Sequence, residues 1–285
     1  MAVILPAPAE SRKEATRNGL FASRRLGRWG RWLLVLAMTV WFLAPLLPLA
    51  LWFFAERWSF PGILPQEWGT GAVQEALAQG AVPAFGRSLG VALAVMAVAT
   101  PMGLLAARAF AFHRPHGAGF LSALVFAPLA LPPFAAAFGL NVLFLRLHLP
   151  PMFGIVLVLA VYALPYTTFT LRVAYGAYEC GFEDEARMLG ASRWRVLSRV
   201  HLPLLAPALM RAAFLAFLVG WSDYVVTLLV GGGTLVTVPL LVASAAAGTG
   251  NDAMLSVLSV TAVLPPLVLL LGAAIHTRRR LGVRS

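Results

Sequence analysis

The residues with the richest chemistry crowd into one stretch, Tyr178 to Pro207. Four of the chain's eleven acids fall at its start: Glu179, Glu183, Asp184 and Glu185. Arg187, Arg193, Arg195 and Arg199 follow. Acids and arginines at this density form ion pairs and charge-assisted hydrogen bonds, which is the chemistry of docking. Nothing in the chain adds catalysis: it has no H-E-x-x-H, no paired cysteines and no nucleophile elbow. Lys13 is the sole lysine, so no G-x-x-x-x-G-K-[ST] loop is present to bind ATP. The single cysteine, Cys180, excludes an internal disulfide and a cysteine metal cluster. His113 and His116, beside Arg114 and Pro115, fit a solvated turn better than a metal site. No catalytic, cofactor-binding or metal residues are assigned, and the chain is not a free-standing enzyme.

The elements that hold these charges follow from spacing. Phe182, Ala186 and Leu189 recur at i, i+4 and i+7, one apolar helix face. Gly190 can take a positive φ and stop that helix. Ser192 is placed to cap a second helix with Trp194, Leu197 and Val200 on one side. Pro203 and Pro207 then close the segment. A water-facing loop has no need of Phe182, Leu189 and Trp194. The amphipathic hairpin is a docking element for another protein.

Around it the chain is apolar. Hydrophobic residues make up 60% of the 285 and charged ones 12%, with a mean hydropathy of +0.83. Soluble domains usually carry about 25% charged residues. An all-α polytopic membrane protein is expected. Six spans of about 20 residues fit: Trp32 to Phe54, Ser88 to Ala107, Gly117 to Leu145, Leu149 to Leu171, Pro207 to Val230 and Ala253 to Ile275. Residues 1–31 form a basic tail, 32–276 the membrane domain with the hairpin 178–207, and 277–285 a short C-terminal tail. Basic residues collect in the N-terminal tail, at Arg108 and Arg114, in the hairpin and at Arg278, Arg279 and Arg280. These alternate loops place both termini and the hairpin in the cytosol. The same asymmetry explains the net charge of +11 by anionic lipid, without nucleic acid.

Asp223 is the one acid inside an expected span, in Trp221-Ser222-Asp223-Tyr224. A charge in hydrocarbon is costly, so it faces a cavity or a partner. One alternative has Asp223 lining a gate or meeting a cationic substrate. The other has it pairing with a neighbouring helix or reaching the interface. Asn141 is a polar candidate at similar depth in the third span. Prolines at 101, 128, 132, 133, 165, 265 and 266 are either hinges or ordinary membrane-helix prolines. The segment from Pro132-Pro133 to Asn141 is the favoured wall of a path. The long loop from Glu56 to Arg87 lies outside, with part of it an interfacial helix.

The hairpin resembles the EAA loop of ABC importer permeases, the binding-protein-dependent inner-membrane components. That pattern is E-A-A, three residues, G, nine residues, I, one residue, L-P. Here Asp184-Glu185-Ala186, Gly190, Val200 and Leu202-Pro203 stand at that spacing. Asp184 replaces the glutamate, Glu185 the first alanine and Val200 the isoleucine, which leaves open which of Glu183 to Glu185 meets the partner. The resemblance covers the second span through the sixth. It implies a type I permease bundle in a bacterial inner membrane, two ATPase subunits, a second permease (the same or different) and an external solute-binding protein. It also implies an ATPase-coupling set: Glu183, Asp184, Glu185, Ala186, Gly190, Leu202 and Pro203. Phe182 to Leu189 would be the coupling helix, and Ser192 to Val200 would pass its motion to the fifth span. The path candidates become Asp223, Asn141, Ser222 and Tyr224. Gly231-Gly232-Gly233 with Thr237-Val238-Pro239-Leu240 is similar to the corresponding turn in the polyamine, thiamine and iron(III) branch. An ion-coupled secondary transporter normally needs ionisable residues deep in several spans, and this chain offers chiefly Asp223. A membrane scaffold needs no path at all.

Overall fold

The computed structural model describes residues 28–59, 61–113 and 117–282. Most of the expected basic tail, and Arg114 to His116, lie outside the described residues. The chain divides into two units, Met1–Leu51 and Trp52–Ser285.

In the first unit, α1 (Arg28–Leu43) is an apolar helix whose side chains are exposed almost throughout. It turns by 50° into α2 (Leu46–Phe53). Pro45 at the turn has no N–H to donate and disfavours helix at the residue before it.

The second unit opens with a small antiparallel ladder, β1 (Ala55–Arg57) with β2 (Glu67–Trp68). Within the long loop that follows the first span, α3 (Gly71–Ala78) is a short helix. Its Ala72 and Ala76 are buried against Met254, Val257 and Leu258.

Three long helices then make the core: α4 (Ala81–Phe112), α7 (Pro151–Gly176) and α10 (Leu202–Trp221). Their meeting faces are stripes of small residues. On α4 these are Ala84, Ser88, Ala92, Ala99, Gly103 and Ala107, all buried. On α10 they are Ala208, Ala212, Ala216 and Gly220, at intervals of four. Lipid gives helices no hydrophobic reason to associate, so close backbone approach must supply the attraction. A Cβ on Gly103 would stand 2.6 Å from the Thr167 Cβ of α7, and one on Gly220 would stand 2.8 Å from the Ala92 Cα. Thr167 Oγ1 donates across the first contact, 3.1 Å from the Ala99 carbonyl.

Among the described residues, four helices are long and apolar enough to cross a membrane, or up to six if each bent pair is one span. Two expected spans are corrected. The third is two pieces: α5 (Ala118–Phe126), extended by a 3-10 turn (Ala127–Ala130), and α6 (Pro133–Arg146), set at 100°. Leu131 is extended ahead of Pro132, as a residue before proline prefers. The fifth span does not run from Pro207 to Val230. It starts at α9 (Arg193–Val196), passes through a π-turn (Leu197–His201) into α10 and stops at Trp221. The π-turn widens the helix over the carbonyls that the Pro203 ring would otherwise strike. Helix therefore continues through Pro203 and Pro207, where the sequence suggested an end. The remaining elements are α8 (Gly181–Met188), α11 (Val225–Gly231), α12 (Val238–Ala247) and α13 (Asp252–Gly282). α13 passes the expected boundary at 276 without a break.

Candidate functional site

The charged hairpin is α8, a turn and α9. Gly190 has φ +82° and ends α8 in a Schellman arrangement. The Ala191 N–H reaches the Ala186 carbonyl at 3.0 Å, and the Gly190 N–H reaches the Arg187 carbonyl at 2.9 Å. A Cβ at Gly190 would meet nothing within 4 Å. Glycine is thus needed for its backbone angle and not for space. Ser192 is extended at the start of α9, as expected, but its hydroxyl makes no capping bond. Glu183 and Asp184 occupy the first turn of α8 and Arg187 the last, matching the helix dipole.

The three adjacent acids face different ways. Asp184 and Glu185 are exposed, and Asp184 pairs with Arg187, at 3.3 Å. Glu183 is buried, with 5% of its surface exposed. It turns into the bundle. Its Oε1 accepts from Tyr178 Oη–H at 2.8 Å and lies 2.7 Å from His201 Nδ1. Its Oε2 accepts from Arg108 at 3.0 Å and from Arg187 at 3.4 Å. All four acceptor positions of the carboxylate are filled. His201 sits in the π-turn, and its Nε2 lies 2.8 Å from Tyr175 Oη. A neutral ring with its proton on Nδ1 fits: Nδ1–H donates to Glu183, and Nε2 accepts from Tyr175. Arg108 Nη1 lies 2.9 and 3.1 Å from the two ring nitrogens. Phe112, Tyr175 and Tyr178 close around this group edge to face.

Burial opposes ionisation of Glu183, but the hydrogen bonds from Tyr178, His201 and Arg108 outweigh it. Its pKa falls below the ordinary 4.5. Tyr178 is pushed well up, by burial and then by its bond to Glu183, which requires the phenol proton. Arg108, Tyr175, Tyr178 and His201 were absent from the residues expected at this site. One signal existed in the sequence: Arg108 follows the small-residue stripe at Ala107, a rare place for a charge in that helix.

Outside this cluster the hairpin carries large exposed apolar side chains. Met188 is 82% exposed, Leu189 89% and Trp194 74%. Phe182 is about half exposed, and Ala186 is half-buried. Leu202 and Pro203 open α10 directly behind the hairpin.

The path candidates are only partly brought together. Asp223 does not sit inside a helical span. It lies in the break between α10 and α11, where its carboxylate accepts from the Thr227 N–H at 2.8 Å, the Thr227 hydroxyl at 2.9 Å and the Val226 N–H at 3.3 Å. It caps α11. Ser222, Asp223 and Tyr224 line a cleft of about 350 Å³ with Tyr162, Tyr166 and Pro133. Ser222 and Tyr224 also border an apolar cleft of about 770 Å³ between α10, α12 and α13. Asn141, on α6, lines neither.

The family model for the inner membrane component of binding-protein-dependent transport systems matches residues 99–281. The chain belongs to that family. The permease is 31% identical over 152 residues to an ABC transporter permease protein, ORF1, of Streptomyces antibioticus, covering 53% of this chain and 65% of that one. It is 27% identical over 193 residues to the spermidine/putrescine transport system permease PotC of Haemophilus influenzae, covering 67% and 75%. It is 27% identical over 208 residues to the molybdenum transport system permease ModB of the same organism, covering 67% and 90%. The fold matches a crystal structure of a bacterial ABC transporter that imports alginate, with TM-score 0.63, 16% identity and 94% and 97% of the two chains covered. The permease is thus an inner-membrane component of a binding-protein-dependent transport system, and the chain spans just under two thirds of the length of the Streptomyces relative.

Proposed function

We propose that this permease lines the substrate path of its importer and is driven by an ATPase seated on the α8–α9 hairpin. The observation that carries this is the exposed trio Met188, Leu189 and Trp194. Trp194 is of the anchor type that dominates protein interfaces, Met188 is of a type enriched there, and Leu189 adds exposed apolar surface beside them. Asp184 and Glu185 flank the trio and would pair with arginines on the ATPase. Glu183, held by Arg108 and His201, would not. Ala186 keeps the helix face low, and Gly190 sets the turn. Leu202 and Pro203 lead the hairpin into α10 without a break in the helix. The basic N-terminal segment and the hairpin would face the cytosol, by the excess of arginine on that side. The assembly would hold two ATPases, a second permease and an external solute-binding protein. Ser222 and Tyr224 would border the path, with Asn141 as a further candidate and Asp223 holding the turn that presents them. Capping by Asp223 also weakens an ion-coupled alternative, because the carboxylate is already engaged.

Purification of the tagged permease from its own host in mild detergent, followed by mass spectrometry, tests this. Wild type should bring down a subunit with a phosphate-binding loop and a second permease. Leu189→Glu should lose the ATPase and keep the permease partner. Equal ATPase recovery by the two proteins would refute the docking site.

A further inference from the structure

The cluster around Glu183 lies behind the docking face and is not used by docking itself. Its composition is unusual for a membrane bundle: one buried carboxylate accepts hydrogen bonds or ion pairs from several elements. Tyr178 comes from the link after α7, Arg187 from α8 itself, His201 from the π-turn before α10 and Arg108 from the end of α4. The hairpin is covalently joined to α7 and α10. It has no covalent join to α4, which lies 75 residues away in sequence at Arg108. Removing one member of such a buried pair leaves the other charge uncompensated. A shift of the hairpin relative to α4 therefore breaks the Arg108–Glu183 pair and leaves Arg108 without its carboxylate, while Arg187 travels with Glu183.

We propose that Glu183, with Arg108 and His201, is the positioning link through which the hairpin carries α4 and α10 when a seated partner moves. Of three neighbouring acids, the outer two face the partner and the inner one faces the machinery to be moved. The Gly220–Ala92 approach and the small-residue stripes then keep α4 and α10 together beyond the link. The proposal rests on the docking reading above.

Spin-label distances in the assembled complex test it, in a Cys180→Ser background because Cys180 is exposed. One pair joins His113→Cys, at the end of α4, to Arg195→Cys on the hairpin. A second joins Arg195→Cys to Leu147→Cys, after α6. Between nucleotide-free and ATP-bound, hydrolysis-arrested complexes, the 147–195 distance should change and the 113–195 distance should not. In Glu183→Gln the 113–195 distances should broaden, and solute moved per ATP hydrolysed should fall about tenfold. A 113–195 distance that changes in wild type along with 147–195 overturns the link and leaves docking intact. A 147–195 distance that never changes removes docking as the drive, and the link with it. Wild-type distances decide the matter even if Glu183→Gln fails to assemble. Wild-type transport per ATP in an assembled Glu183→Gln complex also overturns it.

Discussion

Replacing Gly190 separates the two ways in which a glycine matters. Its φ is +82°, and a Cβ there would meet nothing within 4 Å. The cost of a side chain is therefore conformational. An L-residue held in the left-handed region costs about 1–2 kcal/mol, which changes a two-state population by a factor of roughly 5–30. Asparagine visits that region far more readily than alanine, and a β-branched residue almost never does. The order of tolerance should be Gly, Asn, Ala, Val. The Ala191 N–H, held by the Ala186 carbonyl at 3.0 Å, reports the turn directly. Hydrogen exchange at that amide should quicken by roughly 5–30-fold in Gly190→Ala, less in Gly190→Asn and more in Gly190→Val. ATPase recovered in pull-downs should fall in the same order. If Gly190→Val exchanged as slowly as wild type, or Gly190→Asn were the worst of the three, φ would not be the reason for this glycine.

Three further outcomes are expected. Asp223→Ala should lower the permease's stability in detergent by about 1 kcal/mol, seen in thermal melts, while Asp223→Asn retains most of it because an amide oxygen still caps α11. Gly103→Leu should disrupt the α4–α7 contact, where even a Cβ would press on Thr167 at 2.6 Å; overpacking of this kind costs about 1–3 kcal/mol or more, and a fall in folded yield checks it. The Glu183 pKa lies below 4.5 in the folded protein, so its contribution is complete above 4.5 and is lost as pH falls through the lowered value. Exchange of the α8 amides, corrected for intrinsic rate, should therefore rise only on the acid side of 4.5.

The hairpin was legible in the sequence because its signals are local. The apolar spacing from Phe182 to Leu189 and the glycine after it need no knowledge of the rest of the chain. The inward turn of Glu183 was not legible. Consecutive helix residues point about 100° apart, and the choice among three acids depends on Arg108 and His201, which lie 75 and 18 residues away. The ends of the spans were misplaced for a related reason. Pro203 and Pro207 are breakers by propensity, yet the π-turn before them lets the helix continue. Pro132-Pro133 drew attention as a kink, but the 100° bend exceeds what a count of apolar residues reveals. Asp223 was read as a charge within a span because hydropathy continues through it; only the hydrogen bonds of α11 show that the helix has already stopped. The small-residue stripes, at steps of four and seven on α4 and of four on α10, were visible in the letters and went unread.

The unbroken run from Arg193 to Trp221 spans 29 residues, about 43 Å at 1.5 Å per residue. It begins on the hairpin and ends where Trp221 Nε1 grips the Ala262 carbonyl at 2.7 Å. The π-turn, Pro203 and Pro207 lie near its hairpin end, and regular helix runs from there to Trp221. The first joint after it is Ser222 to Tyr224, on the rim of both clefts. A movement of the hairpin would therefore reach that joint through a single helix, bent or straight according to what the π-turn allows.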